Sequence, residues 1–258
     1  MTPRVVVACE NALGESVFWH VGERALFWID FFGPTLHRWD PATGECRVWT
    51  IPGSRQVGSA VPLRDGRFLV ALDDGLHAFD PVSGRTQFVT DPNGCRHGVS
   101  YNDAKVDRAG NYWVGTYDAA ESAPRGILYR IATDGSVQLA DSGYVVCNGP
   151  AFSPDGKILY FSDTAGRRLF AYDLDPTTGR LGEARVFARI DDDAGLPDGL
   201  TVDADGHVWC AHYGGGRVTR FAPDGAIDRA IGLPAPYVTS CCFGGASLDT
   251  LFVTQARS

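Results

Sequence analysis

SPDGKILYFSD, residues 153–163, is a glycine-containing turn followed by a run rich in aromatic and β-branched residues. A turn of this kind leading into such a run is typical of a β-hairpin. The pattern recurs along the chain, and the copies are VGERALFWI from Val21, RDGRFLVAL from Arg64, RAGNYWVGT from Arg108, DADGHVWCA from Asp203 and a weaker GASLDTLFVT from Gly245. The turn glycines of the five clear copies lie 44 to 50 residues apart.

A second series of turns falls between the members of the first. It consists of DPATGE from Asp40, DPVSGR from Asp80, ATDGS from Ala132, DPTTGR from Asp175 and APDGA from Ala222. Two turns in each repeat divide it into four short strands, which is the pattern of a propeller blade. The sequence therefore predicts an all-β fold, a six-bladed β-propeller. A β-sandwich requires no such period, and a TIM barrel requires eight helices for which the sequence shows no periodicity.

The last repeat is shorter than the others. Five units carry both turns, whereas the sixth carries only the first. Because a closed ring needs every strand edge paired, RVVVAC at residues 4–9 is expected to form a strand that completes the last blade. The chain is expected to be one propeller domain over residues 1–258, with an incomplete last blade.

Composition limits the classes of partner. The 258 residues are 44% hydrophobic and 21% charged, and the formal net charge is -8. That balance argues against nucleic acid, which requires a basic face. The apolar run near the N-terminus is too short for a signal peptide or a membrane span. We expect a cytoplasmic protein with no membrane or nucleic-acid partner; the sequence leaves the oligomeric state open.

Polar residues recur at one place in the repeat. Seven or eight residues before the turn glycines stand Glu15, Gly58, Asn102, Asn148 and Asp198. In a propeller the first strand of each blade lines the central channel, so these positions converge near the axis. Carboxylates brought together repel each other unless a cation lies between them. Oxygen donors favour calcium, with magnesium, manganese, zinc or iron(II) as alternatives.

Each of these residues also has a purely structural interpretation. Asn148 and Asp198 stand beside glycine or proline in common turn sequences, Asn102 before Asp103 suits an Asx turn, and Glu15 suits an exposed surface. Ordinary turn residues need not recur at one offset in several repeats. The recurrence therefore favours a shared site.

Several motifs resemble those of the regucalcin (senescence marker protein) and gluconolactonase family. They are LGESVFW from Leu13, YNDAKVDRAGNYWVGT from Tyr101, NGPAFSPDGKILYFSDT from Asn148, LPDGLTVDADGHVWCAHYGGGRVTRFAPDG from Leu196 and TSCCFGG from Thr239. The resemblance implies a six-bladed propeller that holds a divalent metal and hydrolyses sugar lactones. It also implies that Glu15, Asn148 and Asp198 are the metal ligands and that Asn102 contacts the substrate.

Two substrate positions depart from the family pattern. Ser100 stands where an arginine often precedes the family's asparagine, so that contact is altered, and nearby Arg96 is a weak substitute for it. The resemblance also implies an acidic substrate residue within GTYDAAESAP, residues 115–124. Glu121 is the better match if one residue is inserted, and Asp118 is the alternative.

The resemblance implies metal-dependent hydrolysis of an aldonolactone to its aldonic acid. The metal would polarise the carbonyl oxygen, and Asp198 would act as the base for the attacking water. Asn102, Ser100 and Glu121 would bind the sugar. A non-catalytic calcium-binding propeller with the same ligands is the alternative. An interaction scaffold of the WD type, or an enzyme of the strictosidine-synthase or paraoxonase type, fits these motifs less well.

Overall fold

The computed structural model describes residues 2–257, which form antiparallel sheets arranged in chain order. Blade 1 contains β1 (Gly14–His20), β2 (Ala25–Asp30), β3 (Thr35–Trp39) and β4 (Cys46–Thr50). Blade 2 contains β5 (Val57–Pro62), β6 (Phe68–Leu72), β7 (Gly75–Asp80) and β8 (Arg85–Thr90). Blade 3 contains β9 (Val99–Val106), β10 (Tyr112–Asp118), β11 (Gly126–Ile131) and β12 (Val137–Tyr144).

The second half of the chain continues the pattern. Blade 4 contains β13 (Cys147–Phe152), β14 (Ile158–Asp163), β15 (Arg168–Asp173) and β16 (Arg185–Arg189). A short 3-10 turn (Asp192–Ala194) precedes blade 5, which contains β17 (Leu196–Val202), β18 (Val208–Tyr213), β19 (Arg217–Phe221) and β20 (Ile227–Gly232). The final hairpin contains β21 (Val238–Gly244) and β22 (Thr250–Gln255). Both predicted series of turns lie between strands, as expected.

The first strands of the sheets form a ring around the axis. Each inner strand contacts the next, in the order β1, β5, β9, β13, β17 and β21, and β21 contacts β1. The polypeptide therefore closes on itself as a β-propeller. Exposure increases outward: the fourth strands β8 and β20 are mostly exposed, whereas β2 is buried along its whole length.

The prediction of a six-bladed propeller is wrong for this chain. Residues 2–257 contain five complete four-stranded blades, and the remaining sheet is a hairpin of only two strands. The six recurring turns indicated six inner strands correctly. The turns could not show whether further strands would pair with the last hairpin, because a turn determines only the two strands that it connects.

The expected strand at residues 4–9 is also absent, since none of these residues is in a strand. The residues that follow contact both the end of the chain and blade 1. Leu13 pairs with Ala256, and the Ala12 carbonyl accepts from the Arg257 amide at 3.2 Å. The Ala12 and Leu13 amides donate to the Asp30 carboxylate at 2.9 and 3.0 Å, and the Asn11 Oδ1 accepts from the Trp28 indole at 2.9 Å. Residues 4–9 therefore do not pair with β22.

The hydrophobic core lies between neighbouring sheets. One cluster joins Phe27 of blade 1 to Val70 of blade 2, and another joins Trp113 of blade 3 to Phe161 of blade 4. A further cluster joins Trp28 of blade 1 to Phe252 of the final hairpin. Because each sheet buries both faces against its neighbours, the ring holds the inner strands in fixed positions.

The seven cysteines are free thiols, and four of them, including the adjacent Cys241 and Cys242, are buried. No helix within residues 2–257 is long and apolar enough to cross a membrane.

Candidate metal and active site

Every inner strand carries a β-bulge near its beginning. The pairing register shifts between Glu15 and Phe18, Val57 and Ser59, Tyr101 and Ala104, Asn148 and Ala151, Pro197 and Leu200, and Val238 and Cys241. A bulge leaves residues outside the ladder and redirects side chains. Six bulges at equivalent places bring redirected residues to one end of the channel, which we call the axial mouth.

The predicted site residues lie at two adjacent positions of these bulges. Glu15 and Asn148 are the last paired residues before the shift, opposite Ile29 and Ser162. Asp198 follows Pro197, which holds the corresponding place in β17, and Asn102 follows Tyr101 in β9. The structure therefore brings all four residues to the axial mouth, although they do not share one offset.

Two of the bulges use a left-handed residue directly after the predicted ligand. Ser16 and Gly149 have φ values of 50° and 49°. At Gly149 an added Cβ would lie 2.5 Å from the Leu200 nitrogen and 3.0 Å from the Asp198 carbonyl oxygen. Glycine is required here because the backbones of β13 and β17 approach too closely for a side chain.

Three carboxylates are buried at the axial mouth. Glu15, Asp103 and Asp198 are 8%, 6% and 5% exposed. Burial, and then the charge of Asp103, raises the pKa of Glu15 to about 8. Burial, followed by the charges of Glu15 and Asp103, raises the pKa of Asp198 well above its ordinary value. Removal from water and mutual repulsion both disfavour the ionised forms.

Asp198 is the least satisfied of these groups. Its Oδ1 is buried and has no hydrogen-bond partner among residues 2–257. Its main-chain carbonyl is held by the Ser162 hydroxyl at 2.8 Å. A buried carboxylate oxygen without a donor is costly unless a cation or a ligand satisfies it.

The amide of Asn148 is oriented by its neighbours. Its Nδ2 donates to the Thr164 hydroxyl at 3.0 Å, and its Oδ1 accepts from the Asn102 Nδ2 at 2.7 Å. The Asn102 Nδ2 also donates to the Cys147 carbonyl at 2.9 Å. The oxygen of Asn148 therefore faces the axial mouth with a second lone pair available, and Asn102 retains its own Oδ1 for a further contact.

The donor set fits a divalent cation. Glu15 and Asp198 supply carboxylate oxygens, Asn148 supplies an amide oxygen, and the unpartnered Asp198 Oδ1 marks where positive charge is needed. Hard oxygen donors of this kind suit calcium, magnesium or manganese. Neither imidazole nor thiolate belongs to the predicted set.

Asp103 is a site residue that the sequence did not identify. Its Oδ1 accepts from the Ala104 amide at 2.8 Å, and its Oδ2 accepts from the Gly149 amide of β13 at 3.0 Å. Burial raises its pKa, and Lys105 lowers it in part. The sequence feature that could have identified Asp103 is its place directly after Asn102. An Asn-Asp pair is, however, equally typical of an Asx turn.

The rim of the axial mouth carries Glu121. Its side chain is exposed and its φ is 49°. Burial raises the pKa of Tyr213, and the charges of Asp198 and Glu121 raise it further. Asp118, which precedes the loop of Glu121, pairs with Val99 at the start of β9, so this loop lies at the same end of blade 3 as the axial mouth. Ser100 is also near the rim, half-buried and paired with Tyr117.

Asp118 has a different role. Its Oδ2 accepts from the Ser122 and Ala123 amides at 3.0 and 3.1 Å, and its Oδ1 pairs with Arg125 at 3.1 Å. With both oxygens engaged, Asp118 holds the loop that carries Glu121 and leaves nothing for a substrate. These contacts give Asp118 a structural role, and Glu121 stays the predicted substrate residue.

Arg96 and His97 both contact Arg125. The Arg96 guanidinium donates to the Arg125 carbonyl at 3.3 Å, and the His97 carbonyl accepts from the Arg125 guanidinium. Both side chains are exposed. Neither contact supports Arg96 as a replacement for the arginine whose place Ser100 takes.

A second acidic group lies at the opposite end of the inner strands. Asp203, Asp205 and His207 stand close together in the β17–β18 turn. Arg220 pairs with Asp203 at 2.7 Å and with Asp205 at 3.4 Å, and both aspartates line a cleft of about 540 Å³ beside the final hairpin. Both aspartates of this group are already paired with an arginine, and in this the group differs from the axial mouth.

A closed β-propeller with an acidic axial mouth defines the class of protein. The family described as SMP-30/Gluconolactonase/LRE-like region matches residues 13–257, and the chain belongs to this family. The predicted family is therefore confirmed, and the prediction of a gluconolactonase-like hydrolase is supported by relatives that are named as lactonases.

Similar proteins include both enzymes and a calcium-binding protein. The chain is 35% identical to a pentonolactonase of Haloferax volcanii over 99% of its length and 86% of that protein. It is 36% identical to a 6-deoxy-6-sulfogluconolactonase of Pseudomonas putida, over 99% and 87%. The crystal structure of a calcium-binding protein, regucalcin, from Agrobacterium tumefaciens is 30% identical, with a TM-score of 0.94 over 100% of this chain and 86% of that one.

Proposed function

We propose that this protein hydrolyses a sugar-derived lactone to the aldonic acid with the help of a divalent cation held by Glu15, Asn148 and Asp198. The observation that carries the proposal is the buried Asp198 Oδ1 without a partner, beside two other buried carboxylates. The names of the relatives support the substrate class, since they act on pentono- and sulfogluconolactones.

The cation would supply Lewis-acid polarisation of the lactone carbonyl when bound. Asp198 takes the proton of the attacking water at its second carboxylate oxygen. Asp198 must be ionised to accept a proton, and a cation at the axial mouth would favour that ionised form over the protonated one. An activated ester requires little more than a positioned base and a stabilised oxyanion.

The substrate would be oriented by groups around the axial mouth. The free Oδ1 of Asn102 accepts a hydrogen bond from a sugar hydroxyl, and the exposed Glu121 carboxylate accepts from another at the rim. Ser100 offers a hydroxyl of shorter reach than the arginine of other family members. Fixing the lactone by several hydroxyls places its carbonyl against the base.

Calcium is the proposed native cation because all the predicted donors are oxygen atoms. Manganese, magnesium, zinc and iron(II) are alternatives that the same donors accept. A cytoplasmic location stays a prediction from the sequence.

The test is acid release from a panel of aldonolactones, followed with a pH indicator. Protein stripped of metal with a chelator is assayed alone and after each of the five cations is restored. We expect hydrolysis above the spontaneous rate only with a cation present. Equal rates in the stripped and restored proteins would contradict the cation's role, and no acid release with any cation would contradict the lactonase.

A non-catalytic calcium-binding protein is the second candidate, favoured by the calcium-binding description of the Agrobacterium relative. The same ligands would serve it. Cation binding in calorimetry without acid release from any lactone would select this candidate.

A further inference from the structure

Asp103 and Lys105 lie two residues apart on β9 and reach different neighbouring strands. The Asp103 Oδ2 accepts from the Gly149 amide of β13 at 3.0 Å. The Lys105 ammonium donates to the Leu200 carbonyl of β17 at 2.7 Å. The two contacts thus join β9 to both strands that carry the predicted ligands Asn148 and Asp198.

The contact points lie next to those ligands. Gly149 directly follows Asn148, and Leu200 is two residues after Asp198. Both lie in or at the end of a β-bulge, where residues leave the regular ladder. Such residues need another fixed partner, because the ladder no longer determines their positions.

Gly149 is where the three strands meet. Its amide is bound by Asp103, its φ is 49°, and its Cα faces the Leu200 nitrogen so closely that a Cβ would lie 2.5 Å from it. A change in the Asp103 contact therefore moves the peptide that follows Asn148 against the backbone that follows Asp198. The spacing of the two ligands depends on this junction.

We propose that Asp103 and Lys105 form a clamp that sets the spacing of Asn148 and Asp198 and thereby the affinity of the axial mouth for a divalent cation. Both are positioning residues, because each acts through the main chain of another strand. This inference rests on the proposed cation site. Groups that orient metal ligands from behind commonly change metal affinity about 10- to 100-fold when removed.

The test is the dissociation constant for Mn²⁺, measured by isothermal titration calorimetry on the full chain, with thermal unfolding of each variant in chelator. Asp103→Ala is expected to raise the dissociation constant about 10- to 100-fold. Asp103→Asn is expected to have a smaller effect, because its amide oxygen can still accept one of the two amide hydrogens. Lys105→Met tests the clamp from the β17 side and is expected to weaken binding as well.

Asp107→Ala is the matched control. Asp107 lies just beyond the other end of β9, where it accepts from the Asn111 amide and the Trp113 indole at 2.9 Å each. This variant is expected to lower the melting temperature and leave Mn²⁺ affinity unchanged. A role limited to folding would make the Asp103 variants behave in the same way.

Folded Asp103→Ala and Lys105→Met proteins that bind Mn²⁺ as tightly as the wild type would overturn the clamp while leaving the cation site intact. If Asp103→Ala does not fold, the Mn²⁺ dissociation constants of Lys105→Met and Asp107→Ala are compared instead. Equal, wild-type values in both variants would overturn the clamp. Wild-type protein that binds no Mn²⁺ would overturn the cation site, and the clamp with it.

Discussion

The axial mouth and the end of β10 each bury an aspartate, with opposite consequences. Asp198 at the axis is 5% exposed, and Asp118 at the end of β10 is 2% exposed. The pKa of Asp198 is raised by burial and neighbouring carboxylates, whereas the Ser122 amide and other donors lower that of Asp118. Burial is therefore a poor guide to function by itself. The supply of hydrogen-bond donors separates a structural carboxylate from one that awaits a ligand.

The largest expected effect comes from Asp198→Asn. Loss of the proposed base should reduce kcat for an aldonolactone about 10²- to 10⁴-fold, as measured by acid release at saturating cation. The melting temperature in chelator should not fall, because the change removes an unpaired buried charge. A variant with nearly the wild-type kcat would contradict the proposed role of Asp198.

Asp118→Asn is the matched control for that experiment, since it makes the same chemical change at a satisfied carboxylate. It should weaken the ion pair with Arg125 and lower the melting temperature. Its Mn²⁺ dissociation constant should stay at the wild-type value. Loss of cation binding in this variant would mean that the loop, too, belongs to the cation site.

A smaller effect is expected in the pH dependence of stability without cation. Burial and the charge of Asp103 raise the pKa of Glu15 to about 8. At pH values between the ordinary pKa of a glutamate and 8, Glu15 is therefore protonated more often in the folded protein than in the unfolded chain. The free energy of unfolding should then fall as pH rises from 5 to 8, by at most about 1.4 kcal/mol per pH unit for this group.

Asp118 changes the free energy of unfolding in the opposite direction. Because its pKa is lowered in the folded protein, it stabilises the fold at pH values above the ordinary pKa of an aspartate, and this stabilisation is lost as the pH falls. Denaturant unfolding in chelator at several pH values measures the balance. Saturating Ca²⁺ should remove the fall between pH 5 and 8, because the cation takes the place of the protons. A fall that persists unchanged with Ca²⁺ would contradict binding at Glu15.

The sequence predicted the features that are encoded locally. Turn residues such as Asp-Pro and glycine act within a few positions, so both turn series were correctly placed, and the recurring offset led to Glu15, Asn102, Asn148 and Asp198. The extra residue of each bulge was not visible, because it appears only when a strand is paired with its neighbour. Asp103 was missed because its place directly after Asn102 is equally typical of an Asx turn.

Features set by distant pairing were predicted less well. The number of complete blades depends on which strands join the final hairpin. Residues 4–9 form no strand there, although Val7 packs against the cluster that contains Phe252 of that hairpin. The structural role of Asp118 depends on donors from Ser122 and Ala123 that no motif reveals. Hydrogen-bond satisfaction requires the folded loop.

The most direct test of the central claim is anomalous X-ray scattering from crystals of this protein soaked with Mn²⁺. The account predicts a single strong peak at the axial mouth, bonded to oxygen atoms of Glu15, Asn148 and Asp198. No peak there, or a peak only at Asp203 and Asp205 on the opposite face, would contradict it.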